Sequence, residues 1–326
     1  MSEFELIARY LARPVASGRD DIVVGNGDDC AVVTPTPNHQ LAVSVDTSLA
    51  DVHFPGDAPA AAIGHRALAV ALSDLAAMGA RARWCTVALT LPGADPEWTA
   101  AFADGLAALA DRVGCAWVGG DVTRGALSIT VTVQGELPVG GAIVRGGARP
   151  GQLVAVTGYP GRAAAGLDRW QRGERELGHP LLEAYLRPEP RLAAGEALRG
   201  IATSAIDLSD GLLADLGHVL NASGVGARLE LEALPLATPL RATLDLTVVH
   251  ELALHGGDDY ELLVTLDDAD LAEAQRRLAG LHLPLTVIGR VVDTPGIHGL
   301  PAALLERGGW DHFSANGSAG VSRSAT

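Results

Sequence analysis

Apolar positions along the chain recur with two periods, and each predicts a different element. Over residues 4–12, Phe4, Leu6, Ile7, Tyr10 and Leu11 fall on one side of a helix. Residues 41–46 read as a strand that delivers Asp46 at its end. Ala60 to Met78 is a long alanine-rich helix stopped by Gly79, with Asp74 in its last turns. A strand over 84–91 and a helix over 96–113, stopped by Gly114, come next. A short strand at 115–118 runs directly into Gly119-Gly120-Asp121. Leu127, Ile129, Val131 and Val133 alternate through 127–137, which predicts an edge or half-buried strand.

The breaker-rich stretch at 146–151 predicts a boundary. Beyond it the pattern predicts strands at 152–157, 203–207, 227–232, 260–266 and 284–291. The helices between them fall at 163–170, 191–199, 211–222, 248–254 and 268–279. Residues 171–180 are polar and read as a mobile connection. The fold class is α/β (α+β) in two domains, residues 1–148 and 149–313, with 314–326 expected to be a disordered tail.

Composition narrows the function. A formal charge of -15 argues against a nucleic-acid partner, because phosphate backbones select basic surfaces. Lysine is absent, so phosphate chemistry here must use arginines, backbone amides and bound cations. Cys30, Cys85 and Cys115 have no metal-ligand spacing. Cys85 and Cys115 are expected to be buried, inert thiols, and Cys30 a packing residue. The N-terminus lacks the features of a signal peptide, and no apolar run approaches the roughly 20 residues of a membrane helix. A soluble, cytoplasmic protein is the expectation.

The candidate chemistry lies in aspartates set among glycines and serines. They are Asp28 and Asp29 after Gly27; Asp46 in Ser44-Val45-Asp46; Asp74 in Leu72-Ser73-Asp74; Asp121 after Gly119-Gly120; and Asp207 and Asp210 around Ser209. A further acidic pair, Asp258-Asp259, follows Gly256-Gly257. Hard cations such as Mg²⁺ take oxygen ligands, and glycines let the backbone approach a phosphate. Each motif alone also reads as an ordinary turn or helix cap. Their joint occurrence points to a metal-dependent enzyme that handles phosphate. His53 is a candidate substrate contact and Arg145 a candidate phosphate contact. His65, His179, His218 and His255 read as structural. No Walker-type loop is present, and no nucleophile–histidine arrangement can be assembled.

The ordered motifs Gly27-Asp28-Asp29-Cys30-Ala31, Ser44-Val45-Asp46-Thr47, Ala69 to Gly79, Gly119 to Gly125, Asp207-Leu208-Ser209-Asp210-Gly211 and Gly256-Gly257-Asp258-Asp259-Tyr260-Glu261-Leu262 closely resemble the thiamine-monophosphate kinase family. The resemblance spans about residues 3 to 313. Its wider group includes aminoimidazole-ribonucleotide synthetase, selenophosphate synthetase and a hydrogenase-maturation factor. It implies a two-domain fold with an N-terminal ATP-binding domain, a C-terminal α/β domain and a homodimer formed through N-terminal-domain strands. The reactive N-terminal cysteine of selenophosphate synthesis and the cysteine tail of the maturation factor are not found, and the wording of the motifs fits ribonucleotide cyclisation less well.

The implied activity is ATP-dependent phosphorylation of thiamine monophosphate (TMP) to thiamine diphosphate, the last step of that cofactor's biosynthesis. Transfer would be direct and in line, assisted by several Mg²⁺ ions, with no covalent nucleophile on the protein. Carried over by motif, Asp29, Ser44, Val45, Asp46, Asp74, Asp121, Asp207 and Asp210 would hold metal, with Val45 offering only its carbonyl where relatives often have Thr. Asp29, Gly120, Asp121, Arg145 and Ser209 would contact ATP. His53, Asp258 and Trp310 would contact TMP, Asp258 standing where relatives often have Glu.

Overall fold

The computed structural model describes residues 3–12 and 19–305. In chain order the elements begin with α1 (Glu3–Leu6), β1 (Ile22–Val24), β2 (Val32–Val33), β3 (His39–Leu49), α2 (Ala60–Ala77), β4 (Arg81–Leu91), α3 (Pro96–Val113), β5 (Ala116–Arg124) and β6 (Ser128–Pro138). They continue with β7 (Leu153–Thr157), α4 (Arg162–Gln171), α5 (Pro180–Leu186), α6 (Leu192–Leu198), β8 (Ser204–Asp207), α7 (Leu212–Ser223) and β9 (Gly226–Leu229). The last are α8 (Thr238–Thr243), α9 (Leu246–His255), β10 (Leu262–Leu266), α10 (Leu271–Ala279), β11 (Leu285–Val292), β12 (Gly296–His298) and α11 (Ala302–Leu305).

Two sheets organise the chain. The first has the order β3-β6-β4-β5, and the second β12-β9-β11-β7-β10-β8. In the first sheet β3 and β6 pair antiparallel over their full lengths, with Asp46 opposite Val131. The 127–137 segment is therefore an interior strand and not an edge. Its Ile129, Val131 and Val133 are buried beneath the helices, while the threonines between them are half-exposed. The predicted strand at 115–118 continues through both glycines to Arg124. Gly120 permits this, because a Cβ there would stand 2.0 Å from the Val87 carbonyl of β4.

Helix α2 is the centre of the molecule. Fourteen of its 18 residues are buried, and it touches α3 and β3 on one side and α5, α6 and β8 on the other. It is the one helix among the described residues long and apolar enough to cross a membrane, and that length lies mostly inside the core. One hydrophobic cluster runs through it from Leu68 and Leu72 in α2 to Ala205 in β8 and Leu262 in β10. Polar contacts reinforce the junction: Arg112 meets Glu189 with two bonds of 2.6 and 2.7 Å, and Arg199 donates to the Gly79 carbonyl at 2.9 Å.

Cys85 and Cys115 are buried as expected, and hydrogen bonding between them, with burial, holds the Cys85 thiol well above its ordinary range. Cys30 is exposed, contrary to the packing role expected of it, because it follows the solvent-facing turn between β1 and β2. The 171–180 connection is held in place. Arg175 stacks 3.7 Å from the Trp170 ring centroid and pairs with Asp57 at 2.9 Å, and Trp170 Nε1 donates to the same carboxylate at 3.0 Å. Trp310 and the expected tail lie outside the described residues.

Candidate active site

The site grows from the face of β3 that turns toward α2. Alternation along the strand sends Ser44 and Asp46 inward and Val45 outward, where Val45 is 61 % exposed. Opposite them α2 brings Ser73 and Asp74, and the Ser44 hydroxyl donates to the Asp74 carboxylate. The end of β8 adds Asp207, which is buried. Burial, then the charge of Asp74, pushes the Asp46 carboxyl up to about 6. The same two causes in the same order push Asp207 up to about 7. Ser73 lies close enough to Asp207 to oppose that rise, yet its buried hydroxyl completes no hydrogen bond of good geometry.

Three carboxylates from three elements thus face one another without a fixed positive charge among them. Uncompensated burial of this kind is costly, and a bound cation would relieve it. The donors are all hard oxygen atoms, the type Mg²⁺ takes. Among the described residues no three acidic, histidine or cysteine side chains already stand close enough to hold one ion together. The residues fit a divalent cation by chemistry, with its remaining ligands to come from water and substrate phosphate.

Asp207 leads into the loop that carries Ser209 and Asp210. The N-cap position of α7 is Gly211 and not either of these residues. Instead Asp215, in the first turn of α7 and 1 % exposed, reaches back and accepts the amides of Ser209 at 3.0 Å and Asp210 at 3.1 Å. Burial first, then the charges of Asp210 and Asp207, pushes Asp215 up to about 7. Asp215 was not among the expected site residues. In sequence it is one polar position in an amphipathic helix, and only the fold shows what it holds.

The 256–261 motif lies against this loop. The Asp258 amide donates to the Ser209 carbonyl at 2.9 Å, and the Tyr260 amide to the Leu208 carbonyl at 2.8 Å. Asp258 and Tyr260 both have left-handed backbone, with φ of 70° and 51°. Such conformations cost side-chain-bearing residues on the order of 1–3 kcal/mol each, so the surroundings must enforce them. Asp259 serves structure, accepting the Gly161 and Ala163 amides at the start of α4. Glu261 is buried, accepts two hydrogen bonds from Arg191 and accepts Thr157 Oγ1 at 2.8 Å.

Asp258 also meets Arg66 of α2 at 2.5 Å. Arg66 donates to the Tyr185 carbonyl at 2.7 Å, and the Tyr185 hydroxyl donates to the His53 carbonyl at 3.2 Å. His53 Nδ1 accepts the Leu49 amide at 3.0 Å, so the neutral ring carries its proton on Nε2.

The remaining expected residues stand apart from this centre. Asp29 is exposed on the turn between β1 and β2. Gly120 and Asp121 lie on β5, three strand spacings or roughly 14 Å across the sheet from β3. Asp121 shares its row with Ala88, Thr130 and Thr47, on the face opposite to Asp46. Arg145 is exposed in the segment joining the two sheets, and its carbonyl accepts Ser223 Oγ at 3.3 Å.

Residues 27–137 match the family model described as AIR synthase related protein, N-terminal domain, and residues 149–299 match the corresponding C-terminal domain. The thiamine-monophosphate kinase of Salmonella typhimurium is 44% identical over 321 residues, which cover 96% of this chain and 98% of that protein. The crystal structure of thiamine-monophosphate kinase from Stenotrophomonas maltophilia shares the fold with a TM-score of 0.83 and 45% identity, covering 86% of this chain and 92% of that one. AaThiL complexed with AMPPCP and TMP gives a TM-score of 0.76 at 29% identity, over 86% and 89% of the two chains. With identity at this level along nearly its whole length and the same two-domain fold, the chain belongs to the thiamine-monophosphate kinase family.

Proposed function

We infer that this protein transfers the γ-phosphoryl group of ATP to TMP, giving thiamine diphosphate and ADP. The observation that carries the reading is the meeting of Ser44, Asp46, Asp74 and Asp207 where β3, α2 and β8 converge, beside the Ser209–Asp210 loop.

Phosphoryl transfer needs in-line alignment and charge neutralisation more than a strong protein base. The acceptor is itself a phosphate monoester, already ionised near neutral pH. Asp46, Asp74 and Asp207, with Asp210, would hold Mg²⁺, which when bound offsets the negative charge shared by the two phosphate groups. The protein's own part is positional. Asp215 fixes the amides of Ser209 and Asp210, and that loop would line the nucleotide phosphates. His53 and Asp258, from opposite sides of the junction, present their polar groups to TMP. Gly120, Asp121 and Arg145 are proposed for the outlying parts of the nucleotide and its metal, and Asp29 for a further ion. No side chain is required as a covalent relay.

We further propose a homodimer and a cytoplasmic location. β3 is an edge strand whose outer face shows Leu41, Val43, Val45 and Leu49, an apolar stripe that suits a second copy. The chain divides functionally near residue 148.

The decisive assay incubates the protein with ATP, Mg²⁺ and TMP and resolves the thiamine esters by chromatography after fluorescent oxidation. Thiamine diphosphate should form in step with ADP and disappear with EDTA. ADP release without thiamine diphosphate would overturn the acceptor.

A further inference from the structure

Arg66 is a cation on the most deeply buried helix of the molecule, 4% exposed, and it lies outside every motif that carries the family resemblance. Its guanidinium is held at several points. Nη2 donates to Asp258 Oδ1 at 2.5 Å, and Nη1 to the Tyr185 carbonyl at 2.7 Å. The group lies 4.4 Å from the Tyr185 ring centroid and 5.8 Å from that of Tyr260. Tyr260 in turn donates its hydroxyl to the same Asp258 Oδ1 at 3.1 Å. Among the described residues both donors therefore fall on one carboxylate oxygen and none takes Oδ2, the atom proposed to meet the ligand. On its other side, Tyr185 ties Arg66 to the His53 carbonyl. One buried arginine thus grips Asp258 and, through Tyr185, the turn that carries His53.

We propose that Arg66 is a positioning residue for the phosphate acceptor: through Asp258 and Tyr185 it sets the geometry of the two groups that recognise TMP. This rests on the reading above that Asp258 and His53 contact the acceptor. Thiamine carries a cationic ring and an exocyclic amine, and an aspartate presenting one unpaired oxygen suits either. Free of its clamp, Asp258 would keep its charge but lose its direction, since its left-handed backbone has few other restraints on the side chain. Arginine suits the position where lysine would not, because a planar fork can reach a carboxylate and a carbonyl at once.

The test compares Arg66→Met, Arg66→Lys, Asp258→Asn and the Arg66→Met/Asp258→Asn double variant with the wild-type protein. Steady-state kinetics for TMP and for ATP are measured separately, together with thermal denaturation. Arg66→Met should raise the KM for TMP by about 10-fold or more and leave the KM for ATP within about 2-fold. Arg66→Lys should recover only part of the loss. The double variant should be no worse than its more damaged parent, because both changes disable one unit.

A KM for TMP that does not move, or that rises in parallel with the KM for ATP, would overturn the proposal and leave Arg66 as a structural staple. So would fully additive losses. If Arg66→Met does not fold, Tyr260→Phe, which removes the other donor onto Asp258 Oδ1, carries the same comparison with Arg66→Lys. The wild-type reaction is a separate control. If it forms no thiamine diphosphate, the reading of function has failed and this proposal falls with it; if it does, only the Arg66 inference is under trial.

Discussion

Asp21, far from the acidic centre, shows what one carboxylate can organise. It takes two bonds from Arg19, at 2.7 and 2.8 Å, and one from Trp84 Nε1 at 2.8 Å, while Arg83 stands at 3.1 Å. The bond from Arg19 is the main reason its carboxyl is held down to about 2. A carboxyl depressed in the folded state stabilises the fold above its unfolded pKa and loses that contribution as pH falls through the folded one. Wild-type stability should therefore drop between about pH 4 and pH 2 more steeply than that of Asp21→Asn, measured by denaturant melts across that range. At the proposed metal site, Asp46→Asn should cut turnover by about 10³-fold, ~4 kcal/mol of transition-state stabilisation. Single-turnover rates at saturating Mg²⁺ would check it; a rate within tenfold of wild type would remove Asp46 from the metal site. Asp46, expected at the end of a strand, lies inside β3, three residues before its last residue Leu49. Ser44, Asp46, Asp74 and Asp207 were candidates from sequence because their motifs mark them. Arg66 and Asp215 were not, since each reads locally as one polar residue on a helix and its partners come from distant segments.

At the scale of elements, bounds were legible where the chain carries its own stop signals. Helix α3 begins and ends where the pattern puts it. Asp95 accepts the Glu97 and Trp98 amides at 3.1 and 3.0 Å, Pro96 opens the first turn, and Gly114 closes the helix at φ 70°. Asp95→Ala should cost about 1 kcal/mol of stability, seen as a lower denaturant midpoint at unchanged slope. Strands were harder. β5 runs past two glycines that look like a strand end, because close approach to β4 requires one of them. β6 alternates like an edge strand yet lies inside the sheet, because among the described residues one face of that sheet carries no helix. Sequence alternation reports a half-covered face and says nothing of neighbours on either side.

For the whole molecule, the order of strands and breakers led to an expectation of two halves, but it held no sign of the shared core. Apolar residues of both halves merge around α2 into one cluster, a long-range arrangement that no local pattern encodes. The outer face of β3 is the complementary case: Val43 and Val45 remain 64 % and 61 % exposed on an edge strand. Val43→Asp with Val45→Asp should turn the proposed dimer into a monomer while leaving the fold intact. Light scattering after size exclusion, with far-UV circular dichroism alongside, would report it. An unchanged mass for the variant would move the interface elsewhere.

Helix α2 has one more consequence. Arg66 and Asp74 ride on the same rigid rod, eight residues or about 12 Å apart along its axis. One end grips Asp258, the group proposed to recognise the acceptor, and the other faces the place where phosphate would be transferred. The rod is then a gauge of molecular length. An acceptor whose phosphate arm is one or two methylenes longer could satisfy either end but not both. Deleting one residue between the two positions would turn one end by about 100° relative to the other and draw them about 1.5 Å closer, so that Arg66 and Asp74 could not both keep their partners.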